Sequence, residues 1–111
     1  MKTGAKGREG EDLAATFLAS RGYRVVARNV RLPGGEIDLV CLDEGVLVVV
    51  EVKRRDSNAF GSALGAVDGR KRATLRRIAA DYAQVVAPRA KIRFDVVTVD
   101  GNRLSLHRNA F

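Results

Sequence analysis

Apolar residues recur along two parts of the chain with the spacing of a helix. Over residues 7–21 the apolar stripe consists of Leu13, Ala14, Phe17 and Leu18, and Gly22 follows as a typical helix terminator. Over residues 67–86 the stripe consists of Leu75, Ile78, Ala79, Tyr82 and Val86, and Pro88 cannot continue the helix. The spacing therefore predicts two amphipathic helices.

Runs rich in β-branched residues predict strands between and after these helices. The predicted strands cover residues 23–31, 36–42, 46–53, 92–99 and 104–107. Residues 46–50 are all aliphatic, which indicates a central strand covered on both faces. Residues 54–65 combine Gly, Ser, Asp and Asn, which predict a loop. The predicted order, αβββαββ, favours an α/β fold with helices packed on one central sheet, and 111 residues favour a single domain, 1–111.

Charged residues occupy two predicted strands at positions where apolar residues are expected. One strand carries Glu36 and Asp38, and the next carries Glu51 and Lys53, so each pair is two apart and shares a face. If Glu44-Gly45 is a two-residue turn, Asp38 lies opposite Glu51 and Glu36 lies opposite Lys53. A three-residue loop would split the four between the two faces of the sheet. Glycine at the second turn position favours the two-residue turn.

Two carboxylates about 5 Å apart on neighbouring strands repel each other, which favours a cation between them. Mg²⁺, or Mn²⁺ in its place, accepts carboxylate oxygens together with water and phosphate oxygens. A metal and a lysine such as Lys53 could together activate and orient a water for phosphodiester hydrolysis. The alternative is a solvated end of the sheet, where Glu36 and Lys53 form an ordinary cross-strand ion pair.

The charge balance indicates a polyanionic partner. Lys and Arg number 20 against 13 Asp and Glu, so the formal net charge is +7, and 46% apolar residues suffice for a folded core. We expect phosphate contacts from Arg54 and Arg55 and from the second helix, through Arg70, Lys71, Arg72, Arg76 and Arg77. The alternatives are a charged strand end and a solvated helix face. Few aromatic residues and no base-reading helix favour recognition of duplex shape over sequence.

Other chemistries have little support in the composition. A lone Cys41 and a lone His107 exclude a disulfide framework and a Cys/His zinc site, and we interpret them as a core and an edge residue. Asp95 lies two residues from Arg93 within a strand, which favours an ion pair or a local hydrogen bond. We expect a cytoplasmic protein without a membrane partner, because no apolar run matches a secretory signal or a membrane span.

Eight segments together resemble a known family. They are G-R-E-G-E-D-L-A (7–14), R-G-Y (21–23), N-V-R (29–31), G-E-I-D-L-V (35–40), V-E-V-K-R-R (50–55), F-G (60–61), R-F-D-V (93–96) and R-N-A-F (108–111). The chain closely resembles, over nearly its whole length, the bacterial YraN family of predicted endonucleases. That family is similar to the PD-(D/E)xK superfamily, which includes restriction endonucleases and archaeal Holliday junction resolvases.

The resemblance implies a restriction endonuclease-like αβββαβ core and assigns roles by position. Asp38 matches the metal-binding aspartate, Glu51 the second acid and Lys53 the catalytic lysine. Glu11 matches an extra glutamate that helps to hold the metal in resolvase-like members, although a favourable charge in the first helical turn is the alternative. Glu36 is an accessory candidate, either for a second ion or for an ion pair with Lys53.

Sequence and resemblance together predict a Mg²⁺- or Mn²⁺-dependent DNA endonuclease that selects double-stranded or branched DNA by its structure. A two-fold symmetric junction substrate would favour a homodimer. Two other classes of function stay open. One is a non-catalytic nucleic-acid-binding module with the nuclease fold, and the other is an interaction protein that docks through its sheet edge or second helix.

Overall fold

The computed structural model describes residues 2–55 and 69–111, with side chains from residue 9 to 54 and from 69 onward. These residues form two helices and five strands. The helices are α1 (Lys2–Ser20) and α2 (Gly69–Val86). The strands are β1 (Arg24–Leu32), β2 (Gly35–Asp43), β3 (Val46–Arg55), β4 (Ile92–Asp100) and β5 (Arg103–His107). The predicted order of elements is confirmed.

The strands form one mixed sheet in the order β1-β2-β3-β4-β5. Neighbouring strands are antiparallel except for β3 and β4, which are parallel and are joined by a crossover that contains α2. The two helices pack against the sheet through separate hydrophobic clusters. The predicted α/β fold with a mixed sheet flanked by helices is therefore confirmed.

Helix α1 ends as predicted but begins earlier. At its end Gly22 has φ +90°, Tyr23 N donates to Leu18 O over 3.0 Å, and Gly22 N donates to Ala19 O over 3.1 Å. This Schellman arrangement leads the chain into β1. The helix starts at Lys2, not at residue 7, in a segment whose glycines and lysines carry no apolar stripe. Consequently Glu11 lies in the third turn, and the alternative interpretation, a favourable charge in the first helical turn, is wrong.

Strand β3 extends beyond its predicted end. Strand β3 continues through Arg54 and Arg55, because both pair with β4, so the predicted start of the loop at residue 54 is wrong. The rest of that predicted loop, and the predicted helix start at residue 67, lie outside the described residues.

The β2–β3 hairpin has the predicted two-residue turn. Glu44 and Gly45 have φ values of 50° and 84°, and Asp43 pairs with Val46. Two consecutive positive φ values define the primed turn that matches strand twist. The register that places Asp38 and Glu51 level with each other is thereby confirmed.

Strand β3 lies in the middle of the sheet and is covered on both faces, as predicted. Val48 and Val50 pack toward α1 with Ala14 and Leu18, whereas Leu47 and Val49 pack toward α2 with Leu75, Ile78, Ala79 and Ala83. Cys41 is buried in the cluster on the α1 side, and His107 lies on the edge strand β5. These two predictions are confirmed.

A buried carboxylate, Asp95, connects β4 with two distant parts of the chain. Its oxygens accept hydrogen bonds from Tyr23 Oη over 2.6 Å, from Arg93 Nε over 3.0 Å and from Asn109 N over 2.8 Å. Burial, the largest effect, opposes its ionisation, but these donors outweigh burial and lower the pKa of Asp95. The predicted ion pair with Arg93 is confirmed, within a larger network.

The last residues are tied to β4 as well. Ala110 N donates to Phe94 O over 2.7 Å, and the Phe111 ring stacks on Phe94 with centroids 5.1 Å apart. Phe111 packs at the margin of the cluster on the α2 side. The final segment is therefore part of the core.

Neither α1 nor α2, the two helices of the described residues, combines the length and the apolar sequence that a membrane crossing needs.

The Asp95 network yields a prediction about stability. Tyr23→Phe should lower the unfolding free energy near neutral pH by about 1–3 kcal/mol, because a buried carboxylate loses a donor. Burial, with the Asp95 bond second, raises the pKa of Tyr23 from 10.0 to about 12 in the folded chain. The phenol's contribution is thus complete below pH 10.0 and is lost as pH rises through about 12.

Urea unfolding of wild type and Tyr23→Phe across this alkaline range measures the effect. The difference in stability between the two proteins should narrow as the pH rises. A difference that stays constant would contradict the assignment.

Candidate metal centre

The site begins where β2 and β3 stop pairing. Their ladder runs from Asp43 and Val46 to Leu39 and Val50, and the next level holds Asp38 and Glu51. Strand β3 continues beside β4, whereas β2 turns away. Because β2 offers no backbone acceptor there, Val52 N donates to Asp38 Oδ2 over 2.9 Å. The Asp38 carboxylate therefore fills the opening of this fork.

Strand β2 is rotated at Asp38. Ile37 packs in the cluster on the α2 side, but Leu39 packs in the cluster on the α1 side. Residues two apart in a regular strand face the same way, so the regular alternation assumed from the sequence is wrong here. On the neighbouring strand Asn29 has φ 52° and lies between the paired residues Arg28 and Val30. This irregularity in both strands sets Asp38 between the two faces.

Helix α1 brings Glu11 to the same place. Glu11 lies three residues before Ala14 and seven before Leu18, both fully buried, so the three share the helix face toward the sheet. One carboxylate oxygen each from Glu11, Glu36 and Asp38 lie within 4.8 Å of one another. The three side chains, one from α1 and two from β2, thus form a cluster of carboxylates.

Glu36 has a different partner from the one considered in the sequence. Its Oε2 accepts a hydrogen bond from Arg31 Nε over 3.1 Å across the β1–β2 pair. Lys53 Nζ instead lies 3.5 Å from Glu51 Oε1. The predicted alternative of an ordinary ion pair between Glu36 and Lys53 is therefore wrong.

Glu51 is 4% exposed and is held by two lysines. Its Oε1 lies 2.9 Å from Lys71 Nζ of α2 and 3.5 Å from Lys53 Nζ of β3. Among the residues that the structure describes, its Oε2 is buried without a hydrogen-bond partner, and so is Glu11 Oε1. Sequence reasoning assigned Lys71 to phosphate contact and missed this position, because the packing of α2 on β3 is a long-range contact.

Crowding of carboxylates changes the acidity of Asp38. Burial, followed by the charge of Glu51, raises its pKa from 3.8 to about 7, and the charge of Glu11 adds to the shift. The hydrogen bond from Val52 N opposes the shift but does not cancel it. In the chain alone the site therefore disfavours a full set of charged carboxylates.

The two lysines respond in opposite directions. Burial, followed by the contact with Lys71, lowers the pKa of Lys53. Burial also acts against the charge of Lys71, but its contacts with Lys53 and Glu51 raise its pKa overall. Lys71 is the stronger base of the pair, and Lys53 is the one more easily deprotonated.

The donor set fits a hard divalent cation. Unpaired buried carboxylate oxygens are costly, and a bound cation relieves that cost. Mg²⁺ and Mn²⁺ prefer oxygen ligands of this kind. Glu11, Glu36 and Asp38 could hold the ion. Glu51 lies outside this group of three, but its charge acts on Asp38 and its Oε2 is unpaired. The fork is therefore a candidate metal centre.

The basic residues expected to contact phosphate lie on several sides of the fold. Arg70 is exposed and Lys71 is half-buried beside the site. Arg72 and Arg76 lie over the Phe111 ring, at 5.7 and 5.6 Å from its centroid. Arg77 donates to Pro33 O over 3.2 Å and pairs with Asp81 at 3.6 Å. The five α2 cations do not form one face.

The two arginines that follow Lys53 lie at the end of β3. Arg54 is exposed, and a Cβ placed on Gly10 would lie 3.8 Å from its Nη1, so it lies near the part of α1 that carries Glu11. Arg55 pairs with Asp100 in the sheet, and its side chain lies outside the described residues.

Comparison with known proteins extends over nearly the whole chain. The sequence model described as Uncharacterised protein family UPF0102 matches residues 10–99. A UPF0102 protein of Dechloromonas aromatica is 46% identical over 111 residues, which cover 98% of this chain and 90% of the relative. A UPF0102 protein of Symbiobacterium thermophilum is 47% identical over 111 residues, with 95% and 94% covered. UPF0102 is the YraN family, so the resemblance found in the sequence is confirmed.

The acidity of Asp38 yields a prediction about the metal-free protein. Asp38→Asn keeps an acceptor for Val52 N but removes a crowded buried charge. We expect Asp38→Asn to be more stable than wild type by about 1–3 kcal/mol in EDTA, and we expect Mg²⁺ to raise the melting temperature of wild type and of the control but not of Asp38→Asn. Thermal melts with Asp100→Asn, an exposed carboxylate, as control measure this. Equal response of both variants to Mg²⁺ would contradict it.

The contribution of α1 to the site is tested separately. Glu11→Gln should weaken Mn²⁺ binding by about tenfold or more, because a neutral amide replaces the charged carboxylate whose Oε1 has no partner. Glu9→Gln changes an exposed residue of the same helix and should leave the affinity unchanged. Titration calorimetry with Mn²⁺ compares the three proteins. Equal affinities would exclude Glu11 as a ligand.

Proposed function

The chain belongs to family UPF0102, and from its carboxylate cluster we propose that it is a metal-dependent DNA endonuclease, a hydrolase of phosphodiester bonds. The observation that carries this proposal is the pair of buried carboxylate oxygens without a partner, Glu11 Oε1 and Glu51 Oε2, beside Asp38. A bound cation would relieve the cost of burying these oxygens, and oxygen-bound divalent cations serve phosphate chemistry.

In the proposed site Mg²⁺, or Mn²⁺, is held by Asp38, Glu51 and Glu11, with Glu36 as an accessory carboxylate. Such an ion supplies Lewis acidity to phosphate oxygens and to water when it is bound. The protein contributes the fixed placement of the carboxylates. Asp38 is held by Val52 N, and Glu51 Oε1 is held by Lys71, which leaves Oε2 for the ion.

Lys53 is the proposed catalytic lysine. Its lowered pKa makes the neutral amine, the form that could accept a proton from the attacking water, easier to reach, and its contact with Glu51 at 3.5 Å keeps Nζ at the site. When protonated, the same Nζ offsets negative charge that develops on the phosphate. Lys71 maintains the orientation of Glu51 and acts through it.

The proposed substrate is double-stranded or branched DNA. A formal net charge of +7 supports a polyanionic partner. Arg54, Arg55, Arg70 and Lys71 are the proposed phosphate contacts nearest the fork, and Arg72, Arg76 and Arg77 lie farther along α2. A two-fold symmetric junction would be cut by a homodimer, and a DNA substrate implies a cytoplasmic location.

Cleavage of labelled DNA tests the proposal. Linear, flapped and four-way-junction DNA are incubated with the protein in Mg²⁺, Mn²⁺ or EDTA. We expect metal-dependent cleavage that falls by about 100-fold or more in Lys53→Ala and in Asp38→Asn, because each removes a group that acts on the reacting phosphate or its metal. Lys91→Ala replaces an exposed lysine after α2 and should retain full activity.

The other outcomes distinguish the alternative classes. Salt-sensitive DNA binding without cleavage would contradict the enzyme and favour a binding module with the nuclease fold. No DNA binding at any salt concentration would favour a protein-interaction role.

A further inference from the structure

A cavity of about 370 Å³ lies between the β1–β2 turn and α2. It is lined by Gly34, Gly35, Glu36, Arg70, Lys71, Thr74, Leu75 and Ile78. Two of these residues also belong to the candidate metal centre. Glu36 lies with Glu11 and Asp38, and Lys71 contacts Glu51. The cavity therefore opens directly beside the candidate metal centre.

On the sheet side, Gly34 and Gly35 contribute backbone without side chains, next to Glu36. A Cβ added to Gly35 would lie 3.3 Å from both Ile78 Cδ1 and Thr74 Cγ2, so glycine permits the close approach of the turn to α2. Leu75 and Ile78 are buried and form the floor. Thr74 is half-buried and adds one hydroxyl. Peptide planes, a methyl group and one hydroxyl suit a flat ligand with a polar edge.

Cations surround this neutral wall. Arg70 is exposed and Lys71 lies at the end near the metal centre. Arg77 donates to Pro33 O at the turn, and Arg31, 86% exposed, pairs with Glu36. A ligand that fits this cavity therefore combines a flat neutral body with negative charge at its ends.

We propose that the cavity binds one unpaired DNA nucleotide next to the phosphate that is cut, with the base in the cavity beside Thr74. The inference rests on the proposed function, and it names the feature of DNA that the site selects. A cavity of this size is at the small end of ligand pockets, which span about 300–1,000 Å³, and holds one nucleotide but no base pair. A stacked and paired base must leave the helix to enter.

Leaving the helix costs least for a base that is already unpaired. The protein should therefore bind forked or flapped DNA more tightly than a continuous duplex of the same length. Because Arg70 and Thr74 line the cavity and are not part of the carboxylate cluster, substitutions there test this selectivity without changing the carboxylates.

Binding in EDTA, where nothing is cut, tests the proposal with the full chain. Dissociation constants are measured by fluorescence anisotropy for a forked duplex and for a fully paired duplex of equal length. We expect wild type to prefer the fork by about tenfold, as one avoided base extrusion predicts. Thr74→Leu fills the cavity and should abolish the preference without changing duplex affinity. Ala73→Leu adds the same bulk at the exposed neighbouring position and should retain it.

A second variant tests the proposal without filling the cavity, so its result does not depend on whether Thr74→Leu folds. Arg70→Ala should weaken fork binding more than duplex binding, whereas Arg89→Ala, an exposed arginine after α2, should affect neither. Equal binding of fork and duplex by wild type, or a preference that persists in folded Thr74→Leu, would overturn the cavity proposal. Cleavage in Mg²⁺ reports on the nuclease separately. Fork preference without cleavage would overturn the proposed function, and cleavage without fork preference would overturn only the nucleotide cavity.

Discussion

Repulsion among carboxylates is the main constraint at the place where β2 and β3 stop pairing. Asp38, Glu51 and Glu11 are brought together by the same strands and helix that bury the two hydrophobic clusters. Lys53 and Lys71 contact Glu51 and reduce this repulsion only in part. Among the described residues, Glu11 Oε1 and Glu51 Oε2 are buried without hydrogen-bond partners. Such local conflict is typical of functional sites, where stability is given up for chemistry.

Much of the fold could be predicted from local patterns. Helix ends, the central position of β3 and the hairpin register depend on short-range features such as Gly22, the run 46–50 and the Glu44-Gly45 turn. The two-residue turn fixes the register, and the register sets Asp38 level with Glu51. The resemblance to the YraN family added Glu11, which no spacing within the strands could supply.

The rest could not be predicted, because it depends on tertiary packing. The position of Lys71 beside Glu51 requires the docking of α2 on the sheet, and helical spacing alone leaves its partner open. The change of facing between Ile37 and Leu39 lies opposite Asn29 of β1, which has a positive φ, and a period of two cannot reveal it. One signal was present in the sequence. Glu11 shares the helix face of Ala14 and Leu18, and a carboxylate on a buried face needs a reason.

The docking of the last residues onto β4 has a consequence for synthesis of the protein. Asn109 supplies a donor to Asp95, and Phe111 covers Phe94, so β4 lacks part of its surroundings until residue 111 has left the ribosome. Strand β3 likewise waits for β4, which is its parallel neighbour across the α2 crossover. Contacts this distant in sequence form late. The nascent chain therefore completes this part of its core only after residues 109–111 are free to fold onto β4.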